Sequence, residues 1–240
     1  MTKKTLGILQ AGRTPEELST SYADYNQLFV DLLGEDSFQY RHWAVLDDEL
    51  PNSINDADAW LITGSRHGAY EEHSWIPPLE QFIREVHASG GRMVGICFGH
   101  QIIAKAMGGK VEKFDGGWSV GRVEYLLDTR VFGTDPTTQT ALMAFHQDQV
   151  VEIPEGARNV GGSGFCEHAA LLYGSTMLTI QPHPEFNSAY VAGLIEARGD
   201  ILPDTIIQNA KDDLNEPIQA DPIAQSLKNF LNGSALCQQA

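Results

Sequence analysis

The hydrophobic positions of the chain switch between two periods from its start. Residues 5–10 form a short apolar run of the kind a strand buried on both faces requires. Leu18, Tyr22, Tyr25, Leu28, Phe29 and Leu32 then recur at helical spacing. Residues 38–46 and 59–63 are the next strand candidates, the second ending at Gly64. Ile76, Leu79, Phe82, Ile83 and Val86 make another helical stripe, with Ser74 as the expected N-cap and Pro77 and Pro78 in the first turn. Residues 92–96 predict a strand, and residues 99–107 a helix stopped by Gly108 and Gly109. Such alternation predicts an α/β fold with a mainly parallel central sheet and helices on both faces.

The pattern loosens between residues 111 and 172, where 120–127 and 149–153 are the expected strands. Residues 176–181 predict a further strand and 187–197 a helix. The last forty residues read as helical and peripheral, with Asp221 and Pro222 as N-cap and first position, Gly233 as a stop and a frayed tail beyond it. Residues 1–200 are therefore expected to form one domain and residues 201–240 a helical extension packed on it.

Charge removes several classes of function. Acidic residues outnumber basic ones 32 to 16, a formal charge of −16, and such a surface repels phosphate backbones and anionic lipid. No nucleic acid and no membrane partner is expected. Leu6 to Leu9 is too short for a signal-peptide core, and no stretch approaches a membrane span. The three cysteines, Cys97, Cys166 and Cys237, are too scattered for a disulfide framework, which points to a reducing cytoplasm.

Chemistry concentrates in Gly95-Ile96-Cys97-Phe98-Gly99-His100-Gln101. This is a strand feeding a helix through Gly-x-Cys-x-Gly, the cysteine counterpart of the Gly-x-Ser-x-Gly elbow, with glycines that permit a cramped turn. The positive end of the helix favours a thiolate at Cys97, and the N–H of Phe98 is placed to receive an oxyanion. A lone buried cysteine would read as a small hydrophobe; the two glycines reverse that reading. Cys166 and Cys237 lack such a context.

A thiolate needs a proton acceptor, and eight histidines compete for the role. Gln181-Pro182-His183-Pro184-Glu185 singles out one. Both prolines hold their preceding residues extended, so His183 and Glu185 project to the same side, and the carboxylate can fix the imidazole tautomer. The order nucleophile, histidine, acid differs from that of the α/β-hydrolases, where the acid precedes the histidine. His67, Glu71, Glu72 and His73 fit no metal-binding spacing and are read as a solvated loop, with no metal expected.

Together these segments resemble the class I, triad-type glutamine amidotransferases, most closely stand-alone members similar to the amidotransferase domain of GMP synthetase. The resemblance spans residues 4–198. It implies a flavodoxin-like sandwich, a γ-glutamyl thioester on Cys97, release of ammonia or an amine, and then hydrolysis, with no cofactor. By resemblance Gly64, in Leu61-Ile62-Thr63-Gly64-Ser65, is the second oxyanion donor beside Phe98. Gln101 becomes a contact to the glutamine side, and Phe145-His146-Gln147-Asp148 the loop gripping the substrate's amino-acid end. Two positions depart from the family: Arg66 stands where members often carry proline, and Phe145 where many carry a polar residue. The motifs leave three readings open. One is a self-sufficient hydrolase of a small γ-glutamyl substrate. Another is a glutaminase subunit supplying ammonia to a synthetase partner. The third is a binding protein that keeps only the fold.

Overall fold

The computed structural model describes residues 3–134 and 139–234. Its first strands are β1 (Thr5–Leu9), β2 (Gln39–Trp43), β3 (Ala59–Ile62), β4 (Arg92–Ile96), β5 (Lys110–Lys113) and β6 (Ser119–Leu127). They are followed by β7 (Thr140–His146), β8 (Asp148–Glu152), β9 (Ala157–Gly162), β10 (Ala170–Tyr173) and β11 (Met177–Ile180). The helices are α1 (Tyr25–Leu33), α2 (Ile76–Ala88), α3 (Phe98–Ala106), the single turn α4 (Thr129–Phe132), α5 (Ser188–Arg198), α6 (Asp204–Asp213) and α7 (Ala220–Leu231).

Nine strands form one sheet in the order β2-β1-β3-β4-β11-β10-β9-β6-β7, while β5 and β8 pair separately. From β2 to β11 every pairing is parallel, and from β11 to β7 every pairing is antiparallel. The parallel strands are buried on both faces because alternate residues feed two different cores. Leu6, Ile8, Leu61, Val94 and Ile96 pack toward α1 and α7, whereas Leu9, Trp60, Ile62 and Met93 pack toward α2 and α3. This is the α/β sandwich that the strand–helix alternation predicts. A third cluster joins Met143 and Phe145 of β7 to Phe186, Tyr190 and Leu194 and to the loop before α1.

Local differences from the predicted elements have identifiable causes. The helix expected to include Leu18 begins only at Tyr25, because Asp24 caps it by accepting the Tyr25 N–H at 2.9 Å; Leu18 closes a separate 3-10 turn. Ser74 is not the cap of α2: its hydroxyl donates to Asp48 at 2.9 Å, and Trp75 takes the cap position. α7 starts at Ala220 rather than after Asp221, since Gln219 is tied to Ala141 of β7 through its N–H at 2.8 Å and its Oε1 at 2.6 Å. Nor is α7 peripheral: Ile223, Leu227, Phe230 and Leu231 are buried in the same core as α1 and β4. Strands β5, β7, β9 and β10 fall in the stretch whose pattern predicted little. Cys237 and the tail beyond Ser234 lie outside the described residues.

Candidate active site

Three chain segments leave the carboxyl ends of neighbouring parallel strands. Ile62 of β3 pairs with Gly95 of β4, and Ile96 of β4 pairs with Ile180 of β11. Gly64, Cys97 and His183 therefore emerge side by side, at the sheet edge where open α/β folds place their ligands.

The turn at Cys97 is tight in a measurable way. Cys97 has φ 52° and ψ −103°, a conformation that costs a non-glycine residue roughly 1–3 kcal/mol and persists only where the surroundings impose it. Backbone packing imposes it here. A Cβ on Gly95 would lie 2.4 Å from the Gly99 carbonyl oxygen, and one on Gly99 would lie 2.3 Å from the Ile62 carbonyl oxygen. The glycines thus serve close approach, while the strain falls on the cysteine itself. The Cys97 N–H donates to Ile180 O at 2.9 Å, which locks the turn to β11, and the thiol-bearing residue remains 5% exposed toward a cavity.

His183 is fixed from several directions. Its N–H donates to Met143 O of β7 at 2.8 Å, its Nδ1 donates to Glu185 Oε1 at 2.7 Å, and its ring stacks on Phe186 with centroids 4.0 Å apart and planes at 6°. The side chains of His183 and Glu185 are both buried, 4% and 2% exposed. Burial opposes charge on the imidazole, yet the Glu185 carboxylate and the Cys97 sulfur outweigh it and push the pKa up to about 10. The ring is therefore held as an imidazolium between the two. Gly64 closes the group: a Cβ there would lie 2.9 Å from His183 Cε1 and 3.8 Å from Cys97 Cβ. Phe186 escaped the sequence reading, although an aromatic residue directly after the acid is the signal that could have exposed it.

The residues expected to contact substrate surround a cavity of about 220 Å³ lined by Cys97, Gln101, Phe145, Gln147, Asp148 and Lys113. Gln101 is less free than its place one turn after the nucleophile suggests. Its amide donates to Asp148 O and to Gln181 Oε1, both at 3.0 Å, so it anchors the loop after β7. Gln147 donates to Phe114 O at 3.3 Å, and Phe145 packs edge-on against Trp118. His146 donates through Nδ1 to Asp148 O at 3.2 Å, and burial pushes its pKa down to about 4. Tyr70, on the loop after Gly64, donates to Asp148 Oδ1 at 3.1 Å; burial raises the pKa of that carboxyl.

A second cavity, of about 610 Å³, adjoins the first. Arg66 and Arg198 line both, together with His67 and Ile201, and Arg13 lines the outer one. Arg13 pairs with Asp47; among the described residues neither Arg66 nor Arg198 has a carboxylate within 4.0 Å. Arg198 sits in the last turn of α5, and nothing in the sequence marks it. Cys166 is buried, which pushes its thiol up to about 12. The loop read as solvated is more ordered than its spacing suggests: His67, Glu71 and His73 bring one ligand-type atom each within 4.8 Å of one another, and Glu72 stays outside the group.

Comparison with known proteins places the chain in a family. The model of the family described as glutamine amidotransferase class-I matches residues 35–191. Gamma-glutamyl peptidase 4 of Arabidopsis thaliana is 32% identical over 184 residues, covering 73% of each chain. Gamma-glutamyl peptidase 2 of the same plant is 30% identical, covering 94% of this chain and 95% of that protein. The crystal structure of a glutamine amidotransferase from Methylobacillus flagellatus superposes with a TM-score of 0.74 over 100% of this chain and 98% of the other, at 21% identity, which speaks for a shared fold. Among the described residues no helix is long and apolar enough to cross a membrane.

Proposed function

Because the chain belongs to the class-I glutamine amidotransferase family, we propose that it hydrolyses γ-glutamyl amides, with Cys97 as nucleophile, His183 as acid and base, and Glu185 as the group that orients and charges the imidazole. The thiolate of Cys97 attacks the γ-carbonyl carbon, and the oxyanion so formed turns toward the N–H groups of Phe98 and Gly64. The His183 imidazolium gives its proton to the leaving nitrogen, the C–N bond breaks, and an amine departs from a γ-glutamyl thioester. Neutral His183 then takes a proton from water, hydroxide adds to the thioester, and collapse releases glutamate and the thiolate. Asp148, Gln147 and Lys113 suit the charged amino-acid end of the γ-glutamyl group.

The observation that carries a γ-glutamyl peptide, rather than free glutamine, is the second cavity. Glutamine releases ammonia, which needs no room. The adjoining 610 Å³ gives room for a large leaving amine. Arg66 and Arg198, the arginines that line both cavities, suit a carboxylate on it near the reacting end, while Glu16, Glu17 and Asp200 line the outer cavity. Relatives of similar length named gamma-glutamyl peptidases support the same reading. The buried free thiols of Cys97 and Cys166 fit a reducing cytoplasm. The test is turnover by the purified chain of glutamine, γ-glutamyl dipeptides and γ-glutamyl alkylamides, with no nucleotide added. Dipeptides should be cleaved at least about tenfold more efficiently than glutamine, a difference of about 1.4 kcal/mol. Negligible cleavage of every substrate, relieved about a hundredfold by a co-purifying synthetase, would replace this reading with the ammonia-supplying subunit.

A further inference from the structure

Three side chains on the loop after Gly64 converge on one point that the hydrolysis does not use. Glu71 Oε2 lies 3.2 Å from His67 Nδ1 and 2.7 Å from His73 Nε2, and one ligand-type atom from each residue falls within 4.8 Å of the others. Two ligand atoms held 2.0–2.1 Å from a tetrahedral zinc ion stand about 3.3–3.4 Å apart. Small rotations of the two rings about Glu71 would bring the group to that spacing.

We infer that His67, Glu71 and His73 form a binding site for a borderline divalent cation of the zinc class, with a fourth position open to solvent or substrate. Two imidazoles and one carboxylate match the preference of such ions for mixed nitrogen and oxygen donors. The ligands are also oriented before any ion arrives. Glu71 Oε1 accepts the Gly68 N–H at 3.0 Å, and the Glu71 N–H closes the same turn onto Gly68 O at 3.0 Å. The His67 N–H donates to Ser65 Oγ at 3.1 Å, and the His73 ring stacks on the buried Trp75 at 5.8 Å and 13°. Partners of this kind hold metal ligands in place and raise affinity. As hydrogen-bonded here, each imidazole donates N–H to Glu71 Oε2. Cation binding takes the neutral ring with its proton on the other nitrogen and turns the freed lone pair, with Oε2, onto the ion.

His67 and Glu71 line the cavity that holds Cys97, so the cation stands at its mouth, on the loop that begins at the proposed oxyanion glycine. The Cys97 and His183 pair would itself attract zinc, so the test removes the thiol first. Cys97→Ala should bind one Zn²⁺ per chain in calorimetry with Kd on the order of micromolar or tighter. It should also give Co²⁺ bands of tetrahedral intensity without the near-ultraviolet band of a cobalt–thiolate bond. In the same background, Glu71→Gln, which keeps size and shape, and His73→Ala should each weaken binding by about 30-fold or more. Urea midpoints near that of Cys97→Ala would show that both variants fold. Zn²⁺ binding that disappears with Cys97→Ala would assign the metal to the thiol and overturn the site. So would an affinity that Glu71→Gln and His73→Ala leave unchanged. Because Cys97→Ala ends hydrolysis but leaves the loop intact, failure of the cation site and failure of the proposed hydrolysis are read separately.

Discussion

The elbow at Cys97 and the rim formed by residues 65–73 and 145–148 face one cavity, but they are held by different forces. At the elbow, main chain packs on main chain: Gly95 lies against Gly99, Gly99 against Ile62, and the Cys97 N–H is bonded to β11. The rim is held by side chains reaching across the fold. Tyr70 donates to Asp148, Gln101 to the Asp148 carbonyl, and Gln147 to Phe114. Main-chain packing cannot be edited by substitution without disturbing the sheet, whereas side-chain ties can be exchanged one at a time. The proposed reacting atoms are therefore set by the fold, and the proposed preference among substrates is left to residues that can vary.

The sharpest way to break this division is at the proposed base. His183→Ala should lower kcat/KM by on the order of 10³-fold or more, about 4 kcal/mol, because both proton transfers run through that ring. Glu185→Ala should cost less, since the carboxylate acts through the imidazole. If single-turnover kinetics on folded variants showed Glu185→Ala to be the more damaging, the two roles would have to be exchanged.

Next in size is Gly64→Ala. The added methyl meets His183 Cε1 at 2.9 Å, and relief moves either the Gly64 backbone, a proposed oxyanion donor, or the His183 ring, the proposed base. We expect kcat to fall on the order of 10²-fold, with KM nearly constant and an unfolding midpoint close to wild type. A loss in KM alone would move Gly64 from the elbow's side of the comparison to the rim's.

Smaller still are the rim arginines. Arg66→Ala and Arg198→Ala should each raise KM for a γ-glutamyl dipeptide by up to about tenfold, the loss expected of one partly solvated charge pair, and leave kcat nearly unchanged. A γ-glutamyl alkylamide, which lacks the leaving-group carboxylate, should not notice either change. Equal losses on both substrates would mean that these residues support the loop and do not read the leaving group.

How much of this the sequence shows follows the same division. The elbow is legible because its requirements are local: two glycines, a strand before and a helix after. Glu185 beside His183 is legible because two prolines enforce an extended segment. Strand β7 carries the anchor for His183, yet Ala141, Leu142, Met143 and Ala144 favour helix and include no β-branched residue, so the apolar run does not mark a strand. Strand β9 has Val160 as its one buried residue and ends in Gly161 and Gly162. Arg198 reaches the cavity only because α5 docks beside the loop of Arg66, and His67, Glu71 and His73 meet through a turn that follows no regular period. Contacts of this kind depend on tertiary packing, which no spacing along the chain encodes.

The finest discrimination between elbow and rim uses two histidines held neutral by burial. His100, on α3 beside the elbow, is pushed down to about 3 by burial and by nearby His146, and it bonds through Nδ1 to Thr179 Oγ1 at 2.8 Å. His146, at the rim, is pushed down to about 4, again chiefly by burial. In the unfolded chain both rings take up protons below about pH 6.5, while the folded chain refuses them. The unfolded state therefore binds more protons, and stability falls as pH drops from about 6.5, by up to about 1.4 kcal/mol per pH unit for each ring. His183, whose pKa is raised, acts in the opposite window: its contribution is complete below about 6.5 and is lost as pH rises toward 10. Between pH 6.5 and 5 the paired carboxylates add little, because Asp128, held down by Arg130, titrates well below that range. His67, lowered chiefly by burial, adds slope of the same sign, and Asp148, raised by burial, adds the opposite sign. Each buried ring is therefore read from the difference in urea unfolding between its variant and the wild type across this interval. His100→Gln should remove close to one proton of slope, because charging that ring requires the elbow to come apart. His146→Gln should remove less, because the rim can open locally and let the ring protonate in an otherwise folded chain. Identical slopes for the two variants would show the rim to be as firmly built as the elbow, and the distinction between a fold-set centre and an exchangeable rim would fail.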